Sequence, residues 1–301
     1  MKFLPNLFFK CGRRFVCLLL LLLTACKPST ANSESGTLTG LPQPAQSTAT
    51  QTAFVALVNG EGISTEIYNA HLAQYKAAQA ETGTLLATEN VEQIVLDNLI
   101  DSLLLAQGAW DAEFSADDAL IAERLSKVVE QAGGQATFEE WLNEQGYKAE
   151  SFREELKIEI EAGWMRAEII KDVPTSAEQV EARQILLSDS FQAERLLNQL
   201  DSGTSFEILV VNNDPQRLGT LGWFPRGYLL QPEVEEAAFA LQPGEHSQVI
   251  ETELGFHLIE VLDRDPDRPL NPQALLALQV KAIQEWLQAK RAESAIEINL
   301  P

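Results

Sequence analysis

Few side chains in this 301-residue chain can do covalent or metal chemistry: three cysteines (Cys11, Cys17, Cys26) and three histidines (His71, His246, His257). The histidines are scattered and no two cysteines form a ligand pair, so the spacing argues against a zinc site, and the chain is expected to work without a cofactor. His257 stands in the apolar run Gly255-Phe256-His257-Leu258-Ile259. An imidazole there is either a satisfied core group or a functional one. Asp214 precedes Pro215, a turn-capping pattern unless the carboxylate serves a site. His71 and His246 have no motif around them and read as ordinary polar positions. Charge sets the next bound. With 22 basic and 44 acidic residues the net charge is −22, a field that repels phosphate backbones and excludes nucleic acid as a partner.

The elements that must position these residues begin after an address segment. Residues 1–25 read as an export signal: Lys10, Arg13 and Arg14 precede an apolar run, Phe15 to Leu23, too short for a comfortable membrane span. Leu23-Thr24-Ala25-Cys26 resembles the bacterial lipobox, in which the thiol is acylated and the chain is cut just before it. That resemblance implies that Cys26 carries lipid, while Cys11 and Cys17 leave with the signal and no thiol remains for a disulfide. Several acyl chains anchor a protein stably where one does not. The alternative is a membrane anchor with an incidental cysteine. Residues 26–52, rich in Ser, Thr, Pro, Gln and Gly, cannot bury enough surface to fold and read as a flexible tether.

Phe54–Asn59 reads as a short strand, followed by a turn at Asn59-Gly60-Glu61-Gly62. A helix capped by Ser64 or Thr65 comes next. Leu96, Leu99, Ile100, Leu103 and Leu104 then recur at helical spacing as one strong apolar stripe. Further helices are predicted over 116–131, 137–145 and 149–171, and Asp172-Val173-Pro174-Thr175 breaks the pattern. Beyond it the period changes, with strands over 180–187, 249–252 and 256–262 and helices over 191–201, 204–212 and 233–240. Asp263–Pro269 reads as a second break before a helix over 272–292. Short strands and helices in one unit predict an α+β class. The late helix has an apolar stripe (Leu276, Val280, Ile283, Leu287) that needs cover, which the N-terminal helical region is expected to supply. The domains expected are therefore 53–173 (helical), 178–266 (α+β, inserted) and 270–301 (a helix returning to the first).

The inserted stretch resembles the parvulin family of peptidyl-prolyl isomerases. The matching pieces run in the family's order: Ala182-Arg183-Gln184-Ile185-Leu186, Gly203-Thr204-Ser205-Phe206, Asn213-Asp214-Pro215 and Leu221-Gly222-Trp223-Phe224-Pro225-Arg226-Gly227. Pro232-Glu233-Val234-Glu235-Glu236-Ala237-Ala238-Phe239, Leu241-Gln242-Pro243-Gly244-Glu245 and Gly255-Phe256-His257-Leu258-Ile259 complete the series. The flanks look like SurA/PrsA-type exported foldases. The implied fold is a small antiparallel sheet with surrounding helices. The implied reaction is rotation about an X-Pro amide, whose barrier of roughly 18–20 kcal/mol reflects lost C–N resonance. No bond breaks, so neither nucleophile nor metal is needed. The site must hold the twisted amide better than either planar isomer.

By motif, the resemblance implies catalytic positions at His257, Asp214 and Gln184. It implies a proline pocket formed or backed by Leu221, Leu229 or Leu230, Val234 and Phe239, with Thr252 in the histidine network. Three positions depart from the family. Gln184 stands where a histidine is usual; its amide can hold His257 in one tautomer but cannot share a proton as imidazole does. Leu229 or Leu230 replaces the pocket methionine, and Val234 replaces an aromatic. The expected function is a lipid-anchored, extracytoplasmic isomerase and foldase of modest activity, acting on unfolded or nascent exported polypeptides that contain X-Pro bonds. The alternative is a holdase on a parvulin fold that has lost most catalysis. A solute-binding lipoprotein is disfavoured, because the chain lacks two large α/β lobes.

Overall fold

The computed structural model describes residues 53–82, 90–213 and 219–300. The signal segment, the tether with Cys26, and Asp214 lie outside the described residues. In chain order the first elements are β1 (Phe54–Val58), β2 (Glu61–Ser64), α1 (Thr65–Thr82), α2 (Val91–Asp111), α3 (Asp118–Gln131), α4 (Gln135–Gln145) and α5 (Ala149–Lys171). Next come β3 (Ser176–Leu187), α6 (Ser190–Asp201), α7 (Phe206–Asn213), β4 (Thr220–Pro225) and α8 (Pro232–Ala240). The chain closes with β5 (Ile250–Thr252), β6 (Gly255–Pro269), α9 (Pro272–Glu293) and β7 (Ile296–Ile298). The class is α+β. Two compact units result: one runs to Ala167 and resumes at Leu287, and the other spans Glu168–Trp286. Among the described residues no helix is long and apolar enough to cross a membrane.

In the first unit, Asn59 and Gly60 both take left-handed backbone, φ 54° and 90°, which matches the tight turn that closes β1 onto β2. β7 pairs with the other edge of β1, giving the order β2-β1-β7. Neither β2 nor β7 was expected from the sequence. Strands of three or four residues owe their existence to the partner they pair with rather than to their own pattern. The Asn59 side chain ties this corner together. Its Nδ2 donates to Gln107 Oε1 (2.7 Å) and Ser294 Oγ (3.1 Å), and its Oδ1 accepts the Ala295 N–H (2.9 Å). The α2 stripe Leu96, Leu99, Ile100, Leu103 and Leu104 is buried against Val55, Val58 and Tyr68, with Leu287, Ile296 and Leu300 packed on the same core. A second core is aromatic: Phe138, Trp141, Tyr147 and Phe152 stack at centroid distances of 5.3–6.1 Å. Beside it Glu161, fully buried, accepts from Trp110 Nε1 (2.7 Å), the Ala116 N–H (2.9 Å) and Ser115 Oγ (3.1 Å), so its desolvation is matched by three donors.

In the second unit the sheet order is β4-β3-β6-β5, antiparallel throughout. Alternation sends Ile185, Leu187 and Leu258 to one face, under Leu196, Leu200, Phe206 and Leu209 of α6 and α7. Val180, Ala182, Phe224, Ile259 and Val261 face the other way, under Val234, Ala238 and Phe239 of α8. Two differences from the sequence reading stand out. Thr220–Pro225, read only as a motif, is an edge strand. Asp263–Pro269, read as a break, continues β6 and pairs with Ser176–Glu181. Pro266 falls in the register shift between the Ala177 and Gln179 pairs, where a missing N–H removes no ladder bond.

Candidate active site

The face of the sheet under α8 carries His257. The register places it between Leu186 on β3 and Ile250 on β5, with Gln184 two residues along β3 on the same face and Thr252 at the end of β5. The imidazole is 2% exposed. Its Nδ1 lies 2.9 Å from Gln184 Oε1, and its Nε2 lies 2.8 Å from Thr252 Oγ1. A carbonyl oxygen can only accept, so Nδ1 carries the proton and the Nε2 lone pair accepts the Thr252 hydroxyl. Thr252 Oγ1 in turn accepts the Leu254 N–H at 3.1 Å. The result is a one-way chain of hydrogen bonds from the β5–β6 turn through the ring to β3. Burial pushes the imidazole pKa below its ordinary value, and the charge of Glu233 pulls the other way. The ring is therefore neutral at pH 7.

Local backbone geometry sets where Gln184 sits. Its N–H donates to the Gly219 carbonyl at 2.8 Å. Gly219 has φ +62°, and a Cβ there would stand 1.9 Å from the Gln184 carbonyl oxygen. Only glycine lets the two backbones approach so closely.

Beside the histidine chain lies an apolar wall. Val234 and Phe239 are buried (3% and 5% exposed), and Leu221 and Leu229 pack partly buried on the same cluster. Phe239 meets Phe224 edge-on at 6.0 Å and carries the Arg226 guanidinium over its ring at 4.1 Å. Arg264 approaches the same ring at 5.9 Å and donates to the carbonyls of Phe239 (2.9 Å) and Leu241 (2.6 Å), which fixes the end of α8.

His257, Gln184, Thr252, Leu221, Leu229, Val234 and Phe239 thus belong to one face of one unit. Leu230 does not join them: it is 81% exposed and turned outward, because the loop before α8 directs only Leu229 onto the cluster. Val234 is a core residue under the wall rather than its surface. Asp214 lies outside the described residues. His246 sits apart, with its Nδ1 at 3.2 Å from the Ser247 carbonyl. His71 is in the other unit, 2.5 Å from Glu155. Gly219 escaped the sequence reading, and Leu186 (44% exposed, opposite His257) and Glu235 were quoted in motifs without a role. Glu235 stands inside the quoted Pro232–Phe239 motif, but no pattern announces that its carboxylate turns back onto the preceding loop.

Residues 30–165 match the family described as SurA-like N-terminal domain, and residues 177–263 match the PPIC-type PPIASE domain. Foldase protein PrsA 2 of Bacillus cereus is 28% identical over 200 residues, covering 62% of this chain and 69% of the relative. Chaperone SurA of Nitrosospira multiformis is 34% identical over 149 residues, covering 42% of this chain and 34% of the relative. The crystal structure of peptidylprolyl isomerase (PrsA) from Bacillus anthracis covers 68% of this chain and 99% of that chain, with 22% identity and a TM-score of 0.45. The chain thus carries a SurA-like N-terminal domain followed by a domain of the PPIC, or parvulin, type.

Proposed function

We propose that this chain is a peptidyl-prolyl cis-trans isomerase that assists the folding of exported proteins, with the site on the α8 face of the four-stranded sheet. The observation that carries the reading is the closed, neutral His257 network set beside an apolar wall. A planar X-Pro amide is held by resonance that separates charge across O, C and N; twisting the C–N bond abolishes that separation. A dry apolar surface therefore favours the twisted amide over the planar one, and each 1.4 kcal/mol of preference gives about a ten-fold rate. Leu221 and Leu229, backed by Val234 and Phe239, supply that surface to the pyrrolidine ring. Both nitrogens of His257 are engaged and the ring is buried. Its role is then to position β5 and β3 around the wall, not to move a proton, and the reaction requires no proton transfer. Asp214, next in sequence after α7, remains the candidate acidic group of the site by motif alone.

Acylation of Cys26 would hold the chain at a membrane on its extracytoplasmic side, with 26–52 as tether. Clients are unfolded or nascent exported chains containing X-Pro bonds. The lipid is the proposed membrane contact, and the acidic surface repels nucleic acid. The helical unit is proposed to bind clients, with residues from 287 onward as part of it.

The replacement of the pocket aromatic by Val234, sunk into the core, favours a second reading, a holdase with weak catalysis. NMR exchange spectroscopy on short X-Pro peptides separates the two. Acceleration at micromolar protein supports the isomerase. No acceleration, together with suppressed aggregation of an unfolded client, selects the holdase. Gln184→His raises the rate if the missing imidazole limits it.

A further inference from the structure

β4 hands over to α8 through a short loop that carries Leu229. Three successive backbone N–H groups of that loop converge on one side chain. Gly227 N–H donates to Glu235 Oε1 at 2.6 Å, while Tyr228 N–H and Leu229 N–H donate to Oε2 at 2.9 and 3.1 Å. Consecutive amides that point inward form a concave anion site, and here the anion is covalently supplied. Glu235 also lies in the first turn of α8, where the helix end favours negative charge. The loop takes this shape because Gly227 adopts φ +85°. Arg226 over the Phe239 ring holds the loop's other end.

We propose that Glu235 is a positioning residue of the isomerase site: its carboxylate sets the Gly227–Leu229 backbone and so decides where Leu229 meets the proline ring. This rests on the isomerase reading above. The residue type follows from the donors. A carboxylate accepts all three N–H groups; a glutamine turns an NH2 toward at least one of them, donor against donor. Aspartate is one methylene too short to reach across the loop. Glu235 need not touch the substrate: it acts through Leu229, and a misplaced Leu229 weakens binding of the ring while leaving the His257 chain intact.

The test uses Glu235→Gln and Glu235→Asp in the full chain, beside Leu200→Val, which loosens the core under the opposite face. Three readouts are taken: amide hydrogen exchange at 227–229, steady-state isomerisation of an Ala-Leu-Pro-Phe tetrapeptide, and the 15N shifts of the His257 ring. Glu235→Gln should speed exchange of the three amides by about ten-fold, the factor for one charge-assisted hydrogen bond, and raise KM by about as much. kcat and the His257 shifts stay near wild type. Glu235→Asp, too short to reach the three amides, should lose at least as much as Glu235→Gln. Leu200→Val lowers Tm and leaves KM alone. Unchanged protection at 227–229, a KM unchanged despite lost protection, or an equal KM rise in Leu200→Val would each overturn the proposal. A wild type that does not accelerate exchange sinks the isomerase reading and, with it, the catalytic meaning given to Glu235. The amide readout in that case still tells a held loop from a free one.

Discussion

Gln184→Glu keeps the outline of the side chain and places a charge where there was a dipole, 2.9 Å from His257 Nδ1. In wild type, burial lowers the imidazole pKa and the ring is neutral. A carboxylate in that position reverses the preference. Two unit charges about 4 Å apart in partly buried surroundings attract by about 4 kcal/mol, and desolvating the new carboxylate cancels part of it. About 1–3 kcal/mol remains in favour of imidazolium, roughly a ten- to hundred-fold change in the protonation ratio at a given pH. The protonated Nε2 then donates to Thr252 Oγ1, whose own hydroxyl must turn to its other acceptor, the Gly255 carbonyl at 3.4 Å. That bond is long, and a charged ring beside the wall takes away the apolar surroundings that favour the twisted amide. Isomerisation by the variant should therefore fall as pH drops through the raised His257 titration and recover above it, while wild type, its ring already neutral at pH 7, stays flat from pH 7 to 8. Ring 15N shifts across that pH range, measured with the rate at each point, check both halves. A wild-type ring protonated on Nε2, or a variant whose His257 titrates no higher than wild type, would refute the reasoning.

Three further outcomes are expected. His71 pairs with Glu155 at 2.5 Å; burial lowers its pKa, but the bond to Glu155 and the charges of Glu155 and Glu159 outweigh this and raise it. The pair's stabilisation is fully present below the unfolded histidine's pKa and lost as pH rises through the folded one. Thermal unfolding of the helical unit should thus show His71→Gln costing about 1–3 kcal/mol at pH 5.5 and clearly less at pH 8.5; an equal cost at both would contradict the pairing. Val234→Phe restores an aromatic side chain but inserts volume into a buried site, so denaturant unfolding should show about 1–3 kcal/mol of destabilisation with no gain in peptide affinity. Truncation after Trp286 removes β7, Leu287, and the Arg291 bonds to Asp97 and Asp101. Hydrogen exchange should rise across 54–58 and 96–107 and stay unchanged across 178–264; the reverse pattern would show that the C-terminal residues belong elsewhere.

Much of the fold was legible because its signals are local. The α2 stripe, the helices over 116–131, 137–145 and 149–171 and the switch to short elements after Pro174 each rest on effects within a few residues, and periodicity reports such effects. The motif pieces from Ala182 to Ile259 were legible by resemblance, and that placed His257 beside Gln184 although 73 residues separate them. Less legible was whatever depends on a partner. β2 and β7 are too short to declare themselves, and the Asp263–Pro269 segment carries two prolines and three aspartates that read as a break. Its pairing with Ser176–Glu181, with Pro266 lodged in a bulge, overrides local preference.

The site divides along the same line. Residue types alone set the acidic balance of the chain and the fact that Gln184 could only hold, not share, a proton with His257. Tertiary structure decided the direction of each side chain: Leu229 onto the wall and Leu230 into solvent, Val234 under the surface, Nδ1 rather than Nε2 as the protonated nitrogen, and the Glu235 carboxylate back onto three amides. The reason is physical. Composition and spacing set which groups a segment can bring, whereas a hydrogen bond or an apolar contact depends on distance and angle, and those exist only once strands distant in sequence have been brought into register.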